Sequence, residues 1–137
     1  MRLLIDTNII LDVLAKREPL FGPSAVVWKI CEAEQAEGFV SALSIANLVC
    51  VMRKELSPDR IEDVILRLRL IFEVADLTAE DLTEAAALSW PDYEDALQCV
   101  AASRIKADRI ITRNVRDYNA SRVPACTPQE LMNELGR

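Results

Sequence analysis

Histidine is absent from the 137-residue sequence, and this excludes every catalytic arrangement that needs an imidazole. Ser-His-Asp and Cys-His catalysis are impossible, so acid–base or metal chemistry has to depend on carboxylates. No C-x-x-C pair occurs among the cysteines, so a zinc site made of thiolates is not expected. Each cysteine has apolar neighbours and is interpreted as a small core residue: Cys31, Cys50, Cys99 and Cys126.

Long apolar runs, glycine and aromatic residues are also scarce. No stretch approaches the roughly 20 apolar residues that cross a bilayer, and Asp6 and Asp12 interrupt the N-terminal apolar run where a signal peptide would need continuity. We therefore expect a cytoplasmic protein without a membrane partner. Hydrophobic residues make up 51% of the chain and aromatics only 5%, which predicts an aliphatic core in a single domain, 1–137.

The charge is unevenly distributed along the chain. The net charge of −6 argues against a general nucleic-acid coat. From Glu73 to Asp95 there are eight acidic residues and no basic one, whereas from Arg104 to Arg122 there are six basic residues and two acidic ones. Two interpretations are open: a pair of solvated helix faces, or an acidic pocket beside a basic rim.

Short apolar runs alternate with longer helical patterns along the whole chain. Such alternation, with long crossovers, predicts an α/β fold in which a parallel sheet lies between helix layers in a three-layer sandwich. Gly38 is expected to end the second helix. The predicted strands are 3–5, 39–41, 72–74 and 109–112, and the predicted helices are 8–15, 23–37, one from 44, 58–70, 78–88, 92–106 and a short one after Thr127.

Polar residues collect where this fold would bring the carboxyl ends of its strands to one edge. Asp6 and Asp95 fit the role of a helix cap and that of a ligand equally well. Taken singly, Asn47 fits a partly exposed helix surface, and Asn114 fits a turn, better than either fits the role of a ligand. Several carboxylates at one edge repel each other unless a cation lies among them. The residues expected at this edge are Asp6, Asn8, Asn47, Glu94, Asp95, Asn114 and Asp117.

Four segments, in order and over almost the whole chain, resemble the PIN domain family, and VapC-type toxins are the nearest group. They read I-D-T-N, S-A-L-S-x-A-N-L, D-Y-E-D-A-L-Q and I-T-R-N-V-R-D-Y. No single segment is specific to the family, but four segments in sequence, at domain-spanning spacing, are a strong signal. The resemblance implies a PIN-like fold and a metal-dependent endoribonuclease, the toxin of a toxin–antitoxin pair, with RNA and an antitoxin as partners and a homodimer as the assembly.

The resemblance also implies the site residues. Asp6, Asp95 and Asp117 match the family's acids and would bind Mg²⁺ or Mn²⁺, and Asn114 falls where many relatives have Asp or Asn. Asn47 departs from the pattern, because most active members have Glu there, and Glu94 is the candidate for the missing charge. The acidified metal-bound water would attack the phosphorus. Asn8 and Thr112 are expected to support the acids, and the expected RNA contacts, or ordinary surface arginines, are Arg113, Arg116 and Arg53.

Asn47 keeps a second hypothesis open, namely a catalytically weakened PIN-like domain that binds RNA or protein. A third is a phosphoryl-receiver or small-molecule α/β domain that uses the same acidic edge. Receivers pair their acids with a lysine near a strand end, but Lys106 precedes the last predicted strand. No glycine-rich phosphate loop appears either. The three hypotheses rank in the order given.

Overall fold

The centre of the fold is a parallel sheet of five strands in the order β3-β2-β1-β4-β5, seen in a computed structural model that describes residues 1–136. The first strand is central, with Leu4 opposite Phe39 on one side and Ile110 on the other. All four pairings are parallel, as the strand–helix alternation predicts. The strands are β1 (Arg2–Ile5), β2 (Glu37–Ser41), β3 (Glu73–Ala75), β4 (Arg109–Ile111) and β5 (Ala125–Cys126).

Helices connect the strands, and most of them begin after a side chain that caps the first turn. Asp6, Ser41, Ser57, Thr78, Asp92 and Thr127 each accept a hydrogen bond from a backbone N–H at the start of the following helix. In the described residues the helices are α1 (Thr7–Leu14), α2 (Phe21–Glu32), α3 (Ala42–Met52), α4 (Pro58–Ile71), α5 (Ala79–Ala87), α6 (Tyr93–Arg104) and α7 (Pro128–Glu134), with a 3-10 helix at Val115–Tyr118.

The two faces of the sheet are covered by different helices. Leu3 and Ile5 belong to a buried cluster with side chains of α1, α2, α3, α4 and α7. Leu4, between them in sequence, points to the opposite face, where it packs with Ala102 of α6 and with Ile110. The three-layer α/β sandwich with a central parallel sheet is therefore confirmed.

The second helix differs from its predicted boundaries, and Gly38 has a different role. Helix α2 begins at Phe21 and ends at Glu32, so Pro23 lies inside its first turn. Gly38 lies in β2, where an added Cβ would stand 2.7 Å from both the Cys31 Sγ and the Phe72 Cδ1 atoms. The glycine is needed for close approach of helix and strand, so the prediction that it terminates α2 is wrong.

The fifth strand is absent from the prediction. Residues Ala125 and Cys126 pair with Ile110 and Ile111 at the edge of the sheet. Two residues after a proline carry no periodic pattern, so only pairing with a neighbouring strand identifies them.

Three of the four cysteines are buried, as expected, but Cys50 is exposed. Cys50 follows the buried Leu48 by two residues on α3 and so lies on the outer side of that helix. Burial raises the pKa of Cys31 to about 12, and burial together with the nearby Glu130 and Glu134 raises that of Cys126 to about 11. Both thiols therefore keep their protons at neutral pH.

The acidic and basic runs of the sequence partly pair with each other. Arg104 lies 3.0 Å from Asp81, and Arg122 lies 3.3 Å from Glu84. These contacts account for part of the charge pattern as ion pairs between helix α5 and residues that follow it in the chain. Separately, none of the helices in residues 1–136 is long and apolar enough to cross a membrane.

Candidate acidic site at the carboxyl edge of the sheet

Asp6 lies where β1 ends and α1 begins. It caps α1 and also accepts hydrogen bonds from side chains of other elements. Its Oδ1 atom accepts a hydrogen bond from the Thr7 backbone N–H at 2.8 Å. Its Oδ2 atom accepts one from the Thr112 hydroxyl at 2.8 Å, across the gap between β1 and β4. Only 9% of Asp6 is exposed. A cap needs one acceptor, so the second contact is beyond what capping requires.

Three further side chains surround the Asp6 carboxylate. The Gln98 amide donates to Oδ1 at 3.1 Å. The Tyr118 hydroxyl and the Asn8 amide lie 3.4 and 3.5 Å from Oδ2. Asn8 and Thr112 are thus next to Asp6, where the sequence prediction puts them. The donors hold the carboxylate in one orientation at the edge of the sheet.

Asp95 lies in the first turn of α6, and its side chain points toward the same place. Its backbone N–H is capped by Asp92, while its own Oδ1 atom lies 3.3 Å from the Tyr118 hydroxyl. Burial, and then the charges of Asp92, Asp6 and Asp117, raise the pKa of Asp95 to about 6, against a smaller opposing effect of the Tyr118 hydrogen bond. Asp95 therefore sits in a concentrated negative field.

Tyr118 joins the two carboxylates, and sequence reasoning missed it. Its hydroxyl is within hydrogen-bond distance of both Asp6 and Asp95. Burial and the two neighbouring carboxylates raise the pKa of Tyr118, so the hydroxyl keeps its proton and acts as a donor. The available signal was the aromatic residue directly after Asp117 in I-T-R-N-V-R-D-Y, where a hydroxyl sits on a residue that otherwise packs in the core.

The raised pKa of Asp95 leads us to expect a pH-dependent stability in the metal-free protein. A carboxyl with a higher pKa in the folded than in the unfolded chain binds its proton more tightly when folded. Its stabilising contribution is complete below the unfolded value of 3.8 and is lost as the pH rises through about 6. As the pH rises from about 3.8 through about 6, the melting temperature of the protein should therefore fall relative to that of Asp95→Asn, which has no carboxyl at this position. Thermal melts in EDTA measure it, and a constant difference would contradict the expectation.

Asn47 and Glu94 are in contact. The Asn47 amide donates to Glu94 Oε2 at 3.3 Å, so the carboxylate of α6 reaches the residue on α3 where the sequence departs from the PIN pattern. The structure thus brings Glu94 to the place where the resemblance implies a missing charge.

Asn114, Asp117 and two of the three candidate arginines border one open groove. The groove has a volume of about 610 Å³, and Arg113, Asn114, Arg116 and Asp117 are among its lining residues. Arg53 is instead exposed at the end of α3 and is not among them. The groove continues from the 3-10 helix that carries Asp117 to the start of α7.

Arg113 has a partner in the protein. Its Nε atom lies 3.3 Å from Oδ2 of Asp12, a carboxylate on α1 that is fully buried. Its backbone N–H donates to the Asn8 side chain at 3.4 Å. Arg113 therefore ties the turn after β4 to α1, in addition to lining the groove.

The donor set fits a hard divalent cation only in part. The resemblance implies that Asp6, Asp95 and Asp117 bind the ion together, but within residues 1–136 no group of three or more acidic, histidine or cysteine side chains is placed to hold a metal ion. Asp6 and Asp95 instead meet at the Tyr118 hydroxyl, while Asp117 is exposed beside them. Mg²⁺ commonly takes one or two carboxylates and retains several waters. Burial and then repulsion from neighbouring carboxylates raise the pKa of Asp95, and a cation would relieve the repulsion, so this pair of acids fits such an ion.

Comparisons with known proteins agree with the fold. The family model of the PIN domain matches residues 2–116. A search of curated proteins found no match. The solved structure of VapBC-1 from nontypeable Haemophilus influenzae superposes with a TM-score of 0.72 at 15% identity, covering 94% of this chain and 99% of that chain.

Two other solved structures have the same architecture. VapBC2 from Rickettsia felis, bound to a DNA fragment from its promoter, gives a TM-score of 0.69 at 15% identity and covers 93% of this chain and 98% of that chain. VapC20 of Mycobacterium tuberculosis, a toxin that cleaves the sarcin-ricin loop, gives a TM-score of 0.64 at 12% identity. The superposition covers 79% of this chain and 86% of that chain. At these identities the likeness concerns the fold.

Fold and site together define an α/β protein with acidic residues at the carboxyl edge of a parallel sheet. The chain belongs to the PIN domain family.

Proposed function

We propose that this PIN domain is a divalent-metal-dependent endoribonuclease, acting as the toxin of a toxin–antitoxin pair. The observation that carries the proposal is the meeting of Asp6 and Asp95 at the Tyr118 hydroxyl, where burial and then the charges of the neighbouring carboxylates raise the pKa of Asp95 to about 6. Carboxyls with a strongly perturbed pKa are typical of functional sites, and Asp117, one of the charges that act on Asp95, lines the open groove. When bound, Mg²⁺ or Mn²⁺ supplies an acidified water and neutralises charge that develops on the phosphate.

The proposed roles follow from what each side chain touches. Asp6 and Asp95 would hold the cation, and Asp117 and Glu94 would add negative charge beside them. Thr112 and Asn8 hold the orientation of Asp6 through hydrogen bonds. Asn47 and Asn114 would offer neutral oxygens to the ion or its waters, and the RNA backbone would be held by Arg116, Arg113 and, farther from the groove, Arg53.

The test is an RNA-cleavage assay on the purified protein with Mn²⁺, with Mg²⁺ or with EDTA. The proposal requires cleavage with at least one of the two ions and none with EDTA, and calorimetry with Mn²⁺ measures binding independently of turnover. RNA binding without cleavage would favour the weakened RNA-binding domain instead. Absence of both Mn²⁺ binding and cleavage would rule the proposed nuclease out.

Glu94 is expected to supply the charge that Asn47 lacks. Glu94→Gln should weaken Mn²⁺ binding by about tenfold, since cation affinity rises with ligand charge. Asn47→Glu alone should gain little, because the new carboxylate would lie against Glu94, which now accepts from the Asn47 amide at 3.3 Å. The double variant Asn47→Glu/Glu94→Gln retains the total charge and should regain most of the affinity.

Mn²⁺ titration of the three variants measures this effect. Glu62→Gln, an exposed acid on α4, is the matched control and should bind as the unaltered protein does. Equal affinities in Glu94→Gln and the unaltered protein would remove Glu94 from the site.

We further propose an antitoxin partner and self-association into a homodimer, in the cytoplasm where RNA is accessible. Support for an antitoxin comes from structural neighbours that are themselves toxin–antitoxin complexes. Support for self-association comes from two large apolar side chains on α4, Leu66 and Leu70, which are 52% and 86% exposed. Light scattering should give twice the mass of one chain, and a monomer at high micromolar concentration would count against the dimer.

A further inference from the structure

Gln98 is a buried polar side chain that links three separate elements of the fold. It lies on α6, one turn after Asp95, and is 3% exposed. Its Nε2 atom donates to Asp6 Oδ1 at 3.1 Å and to the Ser44 hydroxyl at 2.9 Å. The amide thus connects the start of α6 to the end of β1 and to the first turn of α3.

The Ser44 end of this link is itself held in place. Ser44 is fully buried, and its hydroxyl lies 2.7 Å from the Thr7 hydroxyl and 3.2 Å from the Ser41 hydroxyl. Its backbone N–H also donates to Ser41. The Gln98 amide is therefore anchored on a rigid polar cluster, and its second hydrogen is directed at Asp6.

Stability alone does not account for a glutamine here. The Oε1 atom of Gln98 is buried and has no hydrogen-bond partner in the described part of the chain. An unpaired buried carbonyl is unfavourable, and an apolar side chain of the same length would avoid it. The amide does, however, provide a donor to Asp6 that no apolar residue could replace.

We propose that Gln98 is a positioning residue that sets the separation of Asp6 and Asp95. Residues 95 and 98 are three apart on α6 and lie on the same side of the helix, so a tie from Gln98 to Asp6 fixes Asp95 relative to Asp6 as well. Without it, the two like charges would move apart. The inference rests on the proposed function, because separation matters where both carboxylates bind one cation.

The test compares Gln98→Met with the unaltered full-length protein. Methionine retains the length of the side chain and removes both the donor and the unpaired oxygen. Mn²⁺ affinity, measured by calorimetry, should fall by about tenfold, the usual effect of removing a side chain that orients a metal ligand. The substitution removes two donated hydrogen bonds but also one unpaired buried oxygen. The melting temperature in EDTA should therefore fall by no more than the loss of about one net hydrogen bond explains. Gln129→Met, at an exposed position of α7, is the matched control: it removes only a solvent-exposed hydrogen bond to Asn133, and should leave the Mn²⁺ affinity unchanged and the melting temperature nearly so.

Ser44→Ala provides a second variant, which removes the anchor of the amide and should weaken Mn²⁺ binding in the same direction but less. In the unaltered metal-free protein, the Gln98 side-chain amide protons should exchange slowly with solvent in NMR spectra and shift on adding Mg²⁺. Unchanged Mn²⁺ affinity in Gln98→Met overturns the positioning role and leaves the nuclease proposal standing. A lower melting temperature of Gln98→Met with unchanged Mn²⁺ affinity also overturns the positioning role, because it shows a purely structural contribution. If the unaltered protein neither binds Mn²⁺ nor cleaves RNA, both proposals fail together.

Discussion

Asp6→Asn is expected to abolish divalent-ion binding and RNA cleavage while leaving the fold intact. The loss should exceed the roughly 10–100-fold that follows removal of a group which only orients a ligand, because Asp6 is itself a proposed ligand. The fold should persist because asparagine is as good an N-cap as aspartate, and even a lost cap costs only about 1 kcal/mol. The hydroxyls of Thr112 and Tyr118, which now donate to Asp6, can rotate to accept from an amide.

Calorimetry with Mn²⁺ measures ion binding, the cleavage assay measures activity on RNA, and circular dichroism measures whether the fold persists. Asp92→Asn is the matched control, since Asp92 caps α6 as Asp6 caps α1. This control should retain cleavage and most of the metal affinity, because Asp92 adds negative charge near Asp95 without being a proposed ligand. If Asp6 is only a cap, Asp6→Asn will behave like Asp92→Asn in every assay, and that result would end the metal-site hypothesis.

Arg113→Ala should destabilise the protein by about 2–3 kcal/mol, since it leaves a buried carboxylate unpaired. Asp12 is fully buried, and besides Arg113 its Oδ2 atom has the Ser24 hydroxyl at 3.3 Å. Its Oδ1 atom has no hydrogen-bond partner within the described residues. The expected loss of stability is smaller than for a wholly buried ion pair, because 33% of the Arg113 side chain is exposed to solvent.

Urea unfolding of the metal-free protein measures this change. Arg116→Ala removes a neighbouring exposed arginine of the same groove and should alter the free energy of unfolding by less than about 0.5 kcal/mol. Adding Asp12→Asn to Arg113→Ala should recover part of the stability, since it removes the unpaired charge. Equal stability of Arg113→Ala and Arg116→Ala would show that the Asp12–Arg113 contact contributes nothing. In that case Arg113 would be an ordinary groove arginine.

Local signals in the sequence are sufficient for most of the helices and strands. Ser57-Pro58 and Thr127-Pro128 mark the starts of α4 and α7, because a cap and a proline act within one turn of the backbone. Gly38 shows the limit of such signals. It resembles a helix terminator, but its place in β2 depends on Cys31 and Phe72 lying against it. Strand β5 likewise exists only through its pairing with β4.

At the acidic edge, the order of strands and polar residues along the chain is enough to tell which side chains follow the strands. Because parallel strands end at one edge, this order alone predicts Asp6, Asn8 and Asn114 at that edge. What surrounds them depends on tertiary packing. Gln98 reaches Asp6 across 92 residues of sequence, and Tyr118 reaches it across 112. No local pattern specifies such contacts, since they arise only when packing of the helix layers brings distant polar atoms to within hydrogen-bond distance.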